Sequence, residues 1–361
     1  MATRFAIIGA AAGIATTHLQ ALALLPDAQI VGMADLARER GAERAAAAGC
    51  PFFADHRAML DAVRPDVAVI CTPHPTHAAL AIDALAAGAH VLVEKPVAIA
   101  AHEADAIIAA AAAANRVVAV NFQQRFRPVV ARARALIDAG DLGDLVRVLC
   151  VEPWFRTQAY YDSAGWRGTW RGEGGGVLMN QGPHTLDLLC YLAGMPQLVW
   201  GWTKTRGHTM ECEDTAQAML EYPNGAPGYL YLSTAEAGRQ QRLEIVGDRA
   251  AIELIGDTLA ITRYTPAQSS YRATSPEMWG APRMEREVLT FDEPHGGHLA
   301  VYTDLLHAIA TGARPRADAR AGCDALELAN AVILSGATNT PVTLPLDRAA
   351  YCALLIQKQG Q

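Results

Sequence analysis

The chain has no long apolar run. Its hydrophobic stretches are short and broken by Asp, Arg, Gly or Pro, so none reads as a transmembrane helix, which takes about 20 apolar residues. The opening MATRFAIIGA carries one Arg and passes straight into strand-like sequence. It lacks the apolar core of a secretory signal, so a cytosolic protein off the membrane is expected. Positive charge is not in excess: the net charge is −7, and the arginines of RFRPVVARAR alternate with apolar residues as on a solvated helix face. Nucleic acid is therefore not an expected partner. No C-x-x-C occurs. The seven cysteines, Cys50, Cys71, Cys150, Cys190, Cys212, Cys323 and Cys352, are odd in number and scattered, which reads as reduced, mostly buried thiols.

What is present fits a globular protein of two domains. Hydrophobic residues make up 51% and charged residues 19% of 361 residues, too many for one ordinary core. The first third alternates β-branched runs (RFAIIG, AQIVGMAD, DVAVICTP, HVLVEKP, RVVAVNF) with Ala-rich helical segments. This alternation predicts an α/β domain over 1–121, a doubly wound parallel sheet covered on both faces. Ligands of such sheets bind beyond the carboxyl ends of the strands. Those ends are Gly9, Asp35, Thr72-Pro73 and Glu94-Lys95-Pro96. From 122 to 361 the pattern predicts an α+β domain with an open, mostly antiparallel sheet. A helix at about 125–139, the stretch DLVRVLCVEPWF and a helix ending near Leu192 precede six strand-like runs, LVWGWTKT to TLAITRY, joined by turns such as Asn224-Gly225. Helices at about 298–311 and 322–336 and a tail helix close the chain. An open sheet face needs cover, so a homodimer or homotetramer built on it is expected.

Three motifs carry chemistry. IIGAAAGIATTH joins the first strand to the first helix, where G-x-G-x-x-G would make a tight turn and aim a helix N-terminus at a pyrophosphate. Here Ala11 or Ala12 stands at the second glycine, beside Gly13, and the loop reads as one residue longer than usual. Asp35, closing the second strand, suits the adenosine ribose hydroxyls and favours NAD; Arg38 and Arg40 nearby leave NADP open. In VLVEKP, Lys95 ends a parallel strand, where its ammonium could steady an alkoxide as hydride leaves carbon; a surface lysine in a Pro turn fits equally well. In GGGVLMNQGPHTLD, residues 174–187, helical spacing puts Asn180, His184, Asp187 and Tyr191 on one face and Leu178, Leu186 and Leu189 on the other. Pro183 interrupts that helix or begins it. His184 is either a general base or a core histidine bonded to Asp187. The glycines let backbone pass close to a cofactor or to the sheet.

Taken with CTPHPTHAALAIDALAAGAHVLVEKP, FQQRFRP, AGWRGTW and EDTAQAMLEYPNGAPG, these motifs occur in the order seen in the glucose–fructose oxidoreductase/inositol dehydrogenase (Gfo/Idh/MocA) family, which the chain resembles over nearly its whole length. The resemblance implies a Rossmann domain and NAD(P)-dependent oxidation or reduction of a sugar or cyclitol hydroxyl. It implies Lys95 and His184 as the catalytic pair. The implied cofactor residues are Gly9, Ala11, Ala12, Gly13, Ile14, Asp35, Thr72, Pro73, His77, Glu94, Lys95, Trp166 and Arg167. Gln123 and Asn180 fall at substrate positions. Asn180 replaces the family's Asp. A neutral amide cannot hold His184 protonated as a carboxylate would, which suits alcohol oxidation. Members with Asn here include sugar 3-dehydrogenases, so oxidation at C3 is expected.

The segment EPWFRTQAYYDSAGWRGTWR concentrates aromatic faces and Arg forks, which suit sugar rings and carboxylates or phosphates. Arg156, Tyr160 and Tyr161 are the substrate candidates there. The pairs His74/His77 and His295/His298 show no third ligand at short range and fit helix starts, so no metal is expected. Two alternatives stand beside the dehydrogenase. One is an NAD-dependent glycosidase acting by transient oxidation, which needs a second base that no residue identifies. The other is a non-catalytic NAD(P)-binding sensor, which would not need Lys95 and His184.

Overall fold

The structure is a computed structural model that describes residues 2–238, 241–292 and 296–360. In chain order the N-terminal part comprises β1 (Thr3–Ile8), α1 (Ala15–Ala23), β2 (Ala28–Ala34), α2 (Arg38–Ala47), β3 (Phe52–Phe53), α3 (His56–Val63), β4 (Val67–Ile70), α4 (His77–Ala86), β5 (His90–Val93), α5 (Ala101–Ala114) and β6 (Val118–Val120). There follow α6 (Pro128–Asp138), β7 (Leu145–Pro153), α7 (Gln158–Asp162), α8 (Trp170–Glu173), α9 (Pro183–Ala193), β8 (Leu198–Lys204), β9 (Thr215–Glu221) and β10 (Pro227–Ser233). The last elements are β11 (Arg242–Gly247), β12 (Ala250–Ile255), β13 (Thr258–Thr265), α10 (Gln268–Thr274), β14 (Arg283–Thr290), α11 (Gly297–Thr311), α12 (Ala319–Thr338), β15 (Val342–Thr343) and α13 (Arg348–Gln359).

The chain groups into two compact units that are not contiguous in sequence. The first holds 1–125, 171–174 and 296–326; the second holds 126–170, 175–295 and 327–361. Segments 171–174 and 296–326 thus group with the N-terminal sheet, whereas the sequence reading used one cut at 121/122.

The first unit is built on a six-stranded parallel sheet in the order β3-β2-β1-β4-β5-β6. Phe5–Ile8, Val67–Ile70 and Val91–Val93 are buried on both faces, as continuous apolar strands under two helix layers must be. Each large buried side chain contributes about 1.5–3 kcal/mol by leaving water. The strand order reverses between β1 and β4, so their carboxyl ends open a crevice.

The second unit carries a nine-stranded sheet, β14-β13-β12-β11-β7-β10-β9-β8-β15. All its pairs are antiparallel except β7 with β10. At the β9–β10 turn Gly225 takes φ +80° and its N–H donates to the Tyr222 carbonyl, as expected of Asn224-Gly225. One face buries Val148, Cys150, Leu230, Leu232 and Ile245. The other exposes Trp200, Trp202 and Met219, with Trp200 and Met219 directly paired across β8 and β9. Farther along that face, Arg242 bridges Glu244 and Glu253. The sequence reading missed β3, α3, α10, β14 and β15, and α12 starts at Ala319, ahead of the expected position. Strand β14 (RMEREVLT) lacked an apolar face to reveal it, since it is solvated almost throughout. Among the described residues no helix is long and apolar enough to cross a membrane.

Candidate cofactor and active site

In the first unit the β1–α1 loop is a tight turn fixed from several sides. Gly9 has φ +94°, and a Cβ there would stand 2.8 Å from Cys71 C and Thr72 N. Glycine is therefore required at Gly9. The Gly9 and Ala10 amides both donate to the Ala34 carbonyl, and the Ala12 amide closes the turn onto Gly9. Asp35 accepts from the Ala11 amide at 2.7 Å and from the Ala37 amide at 2.8 Å. Arg44, which the sequence reading did not single out, donates from α2 to the carbonyls of Ala10 and Ala12 and to Thr16 Oγ1. The loop is thus braced by one carboxylate and one guanidinium. Helix α1 begins just beyond, with Ile14 at its N-cap. Nothing lies within 4 Å of where a Gly13 Cβ would stand. A glycine turn, open space at a helix start and a carboxylate at the end of β2 fit the pyrophosphate and ribose of a dinucleotide.

At the end of β4, Thr76 Oγ1 donates to Thr72 Oγ1 and the Pro73 carbonyl. His77 was expected to reach the cofactor. Its two ring nitrogens lie 2.7 Å from the carbonyls of Pro96 and Thr72, so the ring sits between the β4 loop and the EKP turn. Burial holds its pKa below the usual imidazole value. His74, the other histidine of the HPTH pair, faces the Glu173 carbonyl. The Lys95-Pro96 bond is cis.

Glu94 is buried beside Lys95. His18 Nε2 at 2.8 Å and Asn121 Nδ2 at 2.5 Å converge on its Oε1, and the Lys95 amide donates to Oε2 at 3.2 Å. His298 Nε2 stands 3.6 Å from Oε1, and Tyr302 OH lies 2.8 Å from His18 Nδ1. Burial alone would raise this carboxyl; the His18 and His298 contacts outweigh it and hold Glu94 well below the usual range. Expected as a cofactor residue, Glu94 thus serves as the buried anchor of the EKP backbone. His18, Glu94 and His298 are also the one His/Cys/Asp/Glu trio among the described residues close enough to share a cation. Hydrogen bonding already accounts for their arrangement. His295 lies outside the described residues. Gln123 sits in a short helical turn with its buried Oε1 lacking a hydrogen-bond partner.

In the second unit helix α9 starts at Pro183, and Asn180 precedes it. The expected four-residue polar face therefore does not form as one helical stripe. Residues Pro183–Leu189 are buried all round, with Asp187 wholly so. His184 lies in the first turn. The glycines pass against the sheet: a Cβ on Gly176 would fall 1.8 Å from the Glu213 carbonyl oxygen. The buried Glu213 carboxylate accepts from the amides of Gly176 and Leu178, and its carbonyl accepts from Val177. The sequence reading did not identify this clamp, since Glu213 lies 37 positions from Gly176.

Around Asn180, Tyr160 is a hub. Its OH receives Arg167 Nη1 at 2.7 Å and Gln181 Nε2 at 3.2 Å and donates to Asn180 Oδ1 at 3.4 Å. Arg167 lies over the rings of Tyr160 and Trp166; Arg156 lies over those of Tyr160 and Trp154. Tyr161 is buried with its OH on Thr234 Oγ1, which makes it a packing residue and not a free ring. Glu152 on β7, also missed, is bonded by Thr185 Oγ1 and Gln241 Nε2. Burial outweighs those bonds and pushes its pKa up to about 7.

Comparison with known proteins agrees with this architecture. Residues 3–122 match the NAD-binding Rossmann fold of the Gfo/Idh/MocA oxidoreductase family, and residues 130–253 match its C-terminal domain. D-glucoside 3-dehydrogenase of Escherichia coli is 29% identical over 274 residues, covering 70% of this chain and 76% of that one. Inositol 2-dehydrogenase 1 of Saccharopolyspora erythraea is 36% identical over 127 residues, 34% of this chain and 38% of that one. The WlbA dehydrogenase of Bordetella pertussis, solved with NADH and UDP-GlcNAcA, superimposes with a TM-score of 0.81 at 27% identity, covering 96% of this chain and 100% of that one. With both domains matched in order and a built dinucleotide loop, the chain belongs to the Gfo/Idh/MocA family of NAD-binding oxidoreductases.

Proposed function

We propose that the protein is an NAD-dependent dehydrogenase oxidising a secondary hydroxyl of a sugar, glycoside or cyclitol, at C3 where the substrate is a glucoside. The observation that carries this reading is the clamped EKP turn presenting Lys95, in a chain that also retains a histidine, His184, at the family's acid–base position. The likeness to a D-glucoside 3-dehydrogenase supports the C3 assignment. When bound, the nicotinamide supplies the hydride acceptor. Gly9, Gly13 and Ile14 of the turn and Asp35 would hold the dinucleotide, with Thr72, Pro73, Trp166 and Arg167 as further contacts. His184 takes the hydroxyl proton as general base. Lys95 steadies the developing oxyanion by its charge. Asn180 and Gln123 bind neighbouring hydroxyls. The test is absorbance in the NADH band with NAD, then NADP, against glycosides, uronic acids, nucleotide sugars and inositols. Growth of the band with one class supports the reading; silence across all classes overturns it.

Glu152 favours a second reading. Its carboxyl titrates near neutrality and is bonded to Thr185, the neighbour of His184. A transient-oxidation glycosidase needs such a group to take the proton beside a keto carbon. Release of p-nitrophenol from a p-nitrophenyl glycoside, dependent on NAD but without net NADH, would favour it; stoichiometric NADH without release would exclude it.

We also propose that the protein associates through the open face bearing Trp200, Trp202 and Met219.

A further inference from the structure

Two guanidinium groups stand on one tyrosine. The Arg156 carbon lies 5.1 Å and the Arg167 carbon 4.3 Å from the Tyr160 ring centre. Their described hydrogen bonds go to neutral acceptors: Arg156 to the Phe155 carbonyl, Arg167 to Ser163 Oγ and Tyr160 OH. Among the described residues no carboxylate pairs with either. The nearby acids are committed elsewhere. Asp214 takes the amides of Arg206, Gly207 and His208 and the His208 ring; Asp162 takes Gln158, and Glu211 takes the Trp170 amide.

The arginines are placed by the fold. The Trp154 and Arg156 amides donate to the carbonyls of Ser233 and Thr234, at the end of β10, and the Arg156 carbonyl faces His208 Nε2 at 2.9 Å. Asp214 thereby fixes Arg156 through His208. A separate observation points to a ligand. Gln181 is buried, its Nε2 is spent on Tyr160 OH, and its Oε1 has no hydrogen-bond partner. An orphaned buried acceptor calls for a donor, and a sugar hydroxyl is one. Arg167 is turned onto Ser163 and Tyr160, so the fork left to address an anion is that of Arg156.

We propose that the substrate is an acidic sugar, whose carboxylate or phosphate is bound by Arg156 beside Tyr160 while a ring hydroxyl donates to Gln181 Oε1. This rests on the sugar-dehydrogenase reading and narrows its substrate class.

The test compares NADH formation from methyl β-D-glucoside, methyl β-D-glucuronide, glucose 6-phosphate and UDP-glucuronate, in wild type, Arg156→Gln and Arg156→Lys. Preference for the glucuronides over glucose 6-phosphate identifies a carboxylate; the reverse identifies a phosphate. In either case we expect kcat/KM for the best acidic sugar to exceed that for the neutral glucoside at least tenfold. Rising salt should shrink the ratio. Arg156→Gln should lower it about tenfold or more, and Arg156→Lys should recover part of it. A neutral glucoside used as well as every acidic one, or a ratio unmoved by Arg156→Gln in a protein of native circular dichroism, would overturn the acidic-sugar proposal and leave the dehydrogenase reading standing. No NADH from any of the four, with other sugars oxidised, would overturn it as well. No NADH from any sugar class removes the dehydrogenase reading itself.

Discussion

At Gly9 a methyl group would meet the backbone of Cys71 and Thr72, on a residue already at positive φ. Gly9→Ala should therefore cost about 1–3 kcal/mol, read as a lower urea midpoint. Gly13→Ala meets no protein atom, so it should fold normally and show its effect in NAD affinity. Lys95→Ala and His184→Ala should each reduce turnover about a hundredfold or more; near-normal activity in either variant would remove that residue from the proposed chemistry. Glu152 makes a prediction about pH. Its folded pKa, about 7, lies above the ordinary carboxylate value. The folded protein thus binds the extra proton between those values, and the associated stability is present below the ordinary value and lost as pH rises through 7. Glu152→Gln cannot ionise. Relative to that variant, wild type should lose on the order of 2–3 kcal/mol between pH 5 and 8, measured by urea unfolding at both pH values. Parallel curves for the two proteins would place Glu152 in a wetter setting than its neighbours imply.

At the scale of elements, the glycine stretch and the start of α9 depend on a residue outside both. Glu213 fixes the amides of Gly176 and Leu178, so Glu213→Ala should leave those donors buried and unpaired. A loss of about 2 kcal/mol or more is expected, together with faster amide exchange across 176–184 in hydrogen-exchange mass spectrometry. A stability loss without local exchange would mean the clamp is not what orders the helix start. The apolar spacing predicts a helix in this region, with Pro183 either interrupting it or beginning it, and α9 begins at Pro183. Three glycines and Pro183 then shift its first turn to position 183, since a chain passing against the Glu213 carbonyl cannot be helical there. Strand β14 escaped sequence reading for the opposite reason: its residues face solvent, and hydrophobic period is the signal by which strands are recognised.

At the scale of the molecule, the sheet of the second unit leaves Trp200 and Met219 more than half exposed. Large apolar side chains clustered on one sheet face rarely remain in water. Light scattering should give a dimer or tetramer, and Trp200→Glu should shift it toward monomer with the far-ultraviolet spectrum unchanged. A wild-type monomer at micromolar concentration would overturn the proposed association.

The sequence by itself determined the alternating strands and helices of the first unit, the open antiparallel sheet of the second and the place of Gly9 and Asp35 at the ends of β1 and β2. Each is set by local period, turn chemistry or motif order, which a linear reading captures. Only the tertiary structure decided that 296–326 groups with the N-terminal sheet, where His298 and Tyr302 complete the environment of Glu94. It also set the His77 ring between two loops, and brought Arg44 and Glu213 to the loops they brace. These roles depend on hydrogen bonds between residues from 5 to 284 positions apart. Such bonds leave no period in the sequence, because a buried donor or acceptor constrains only where its partner must be in space.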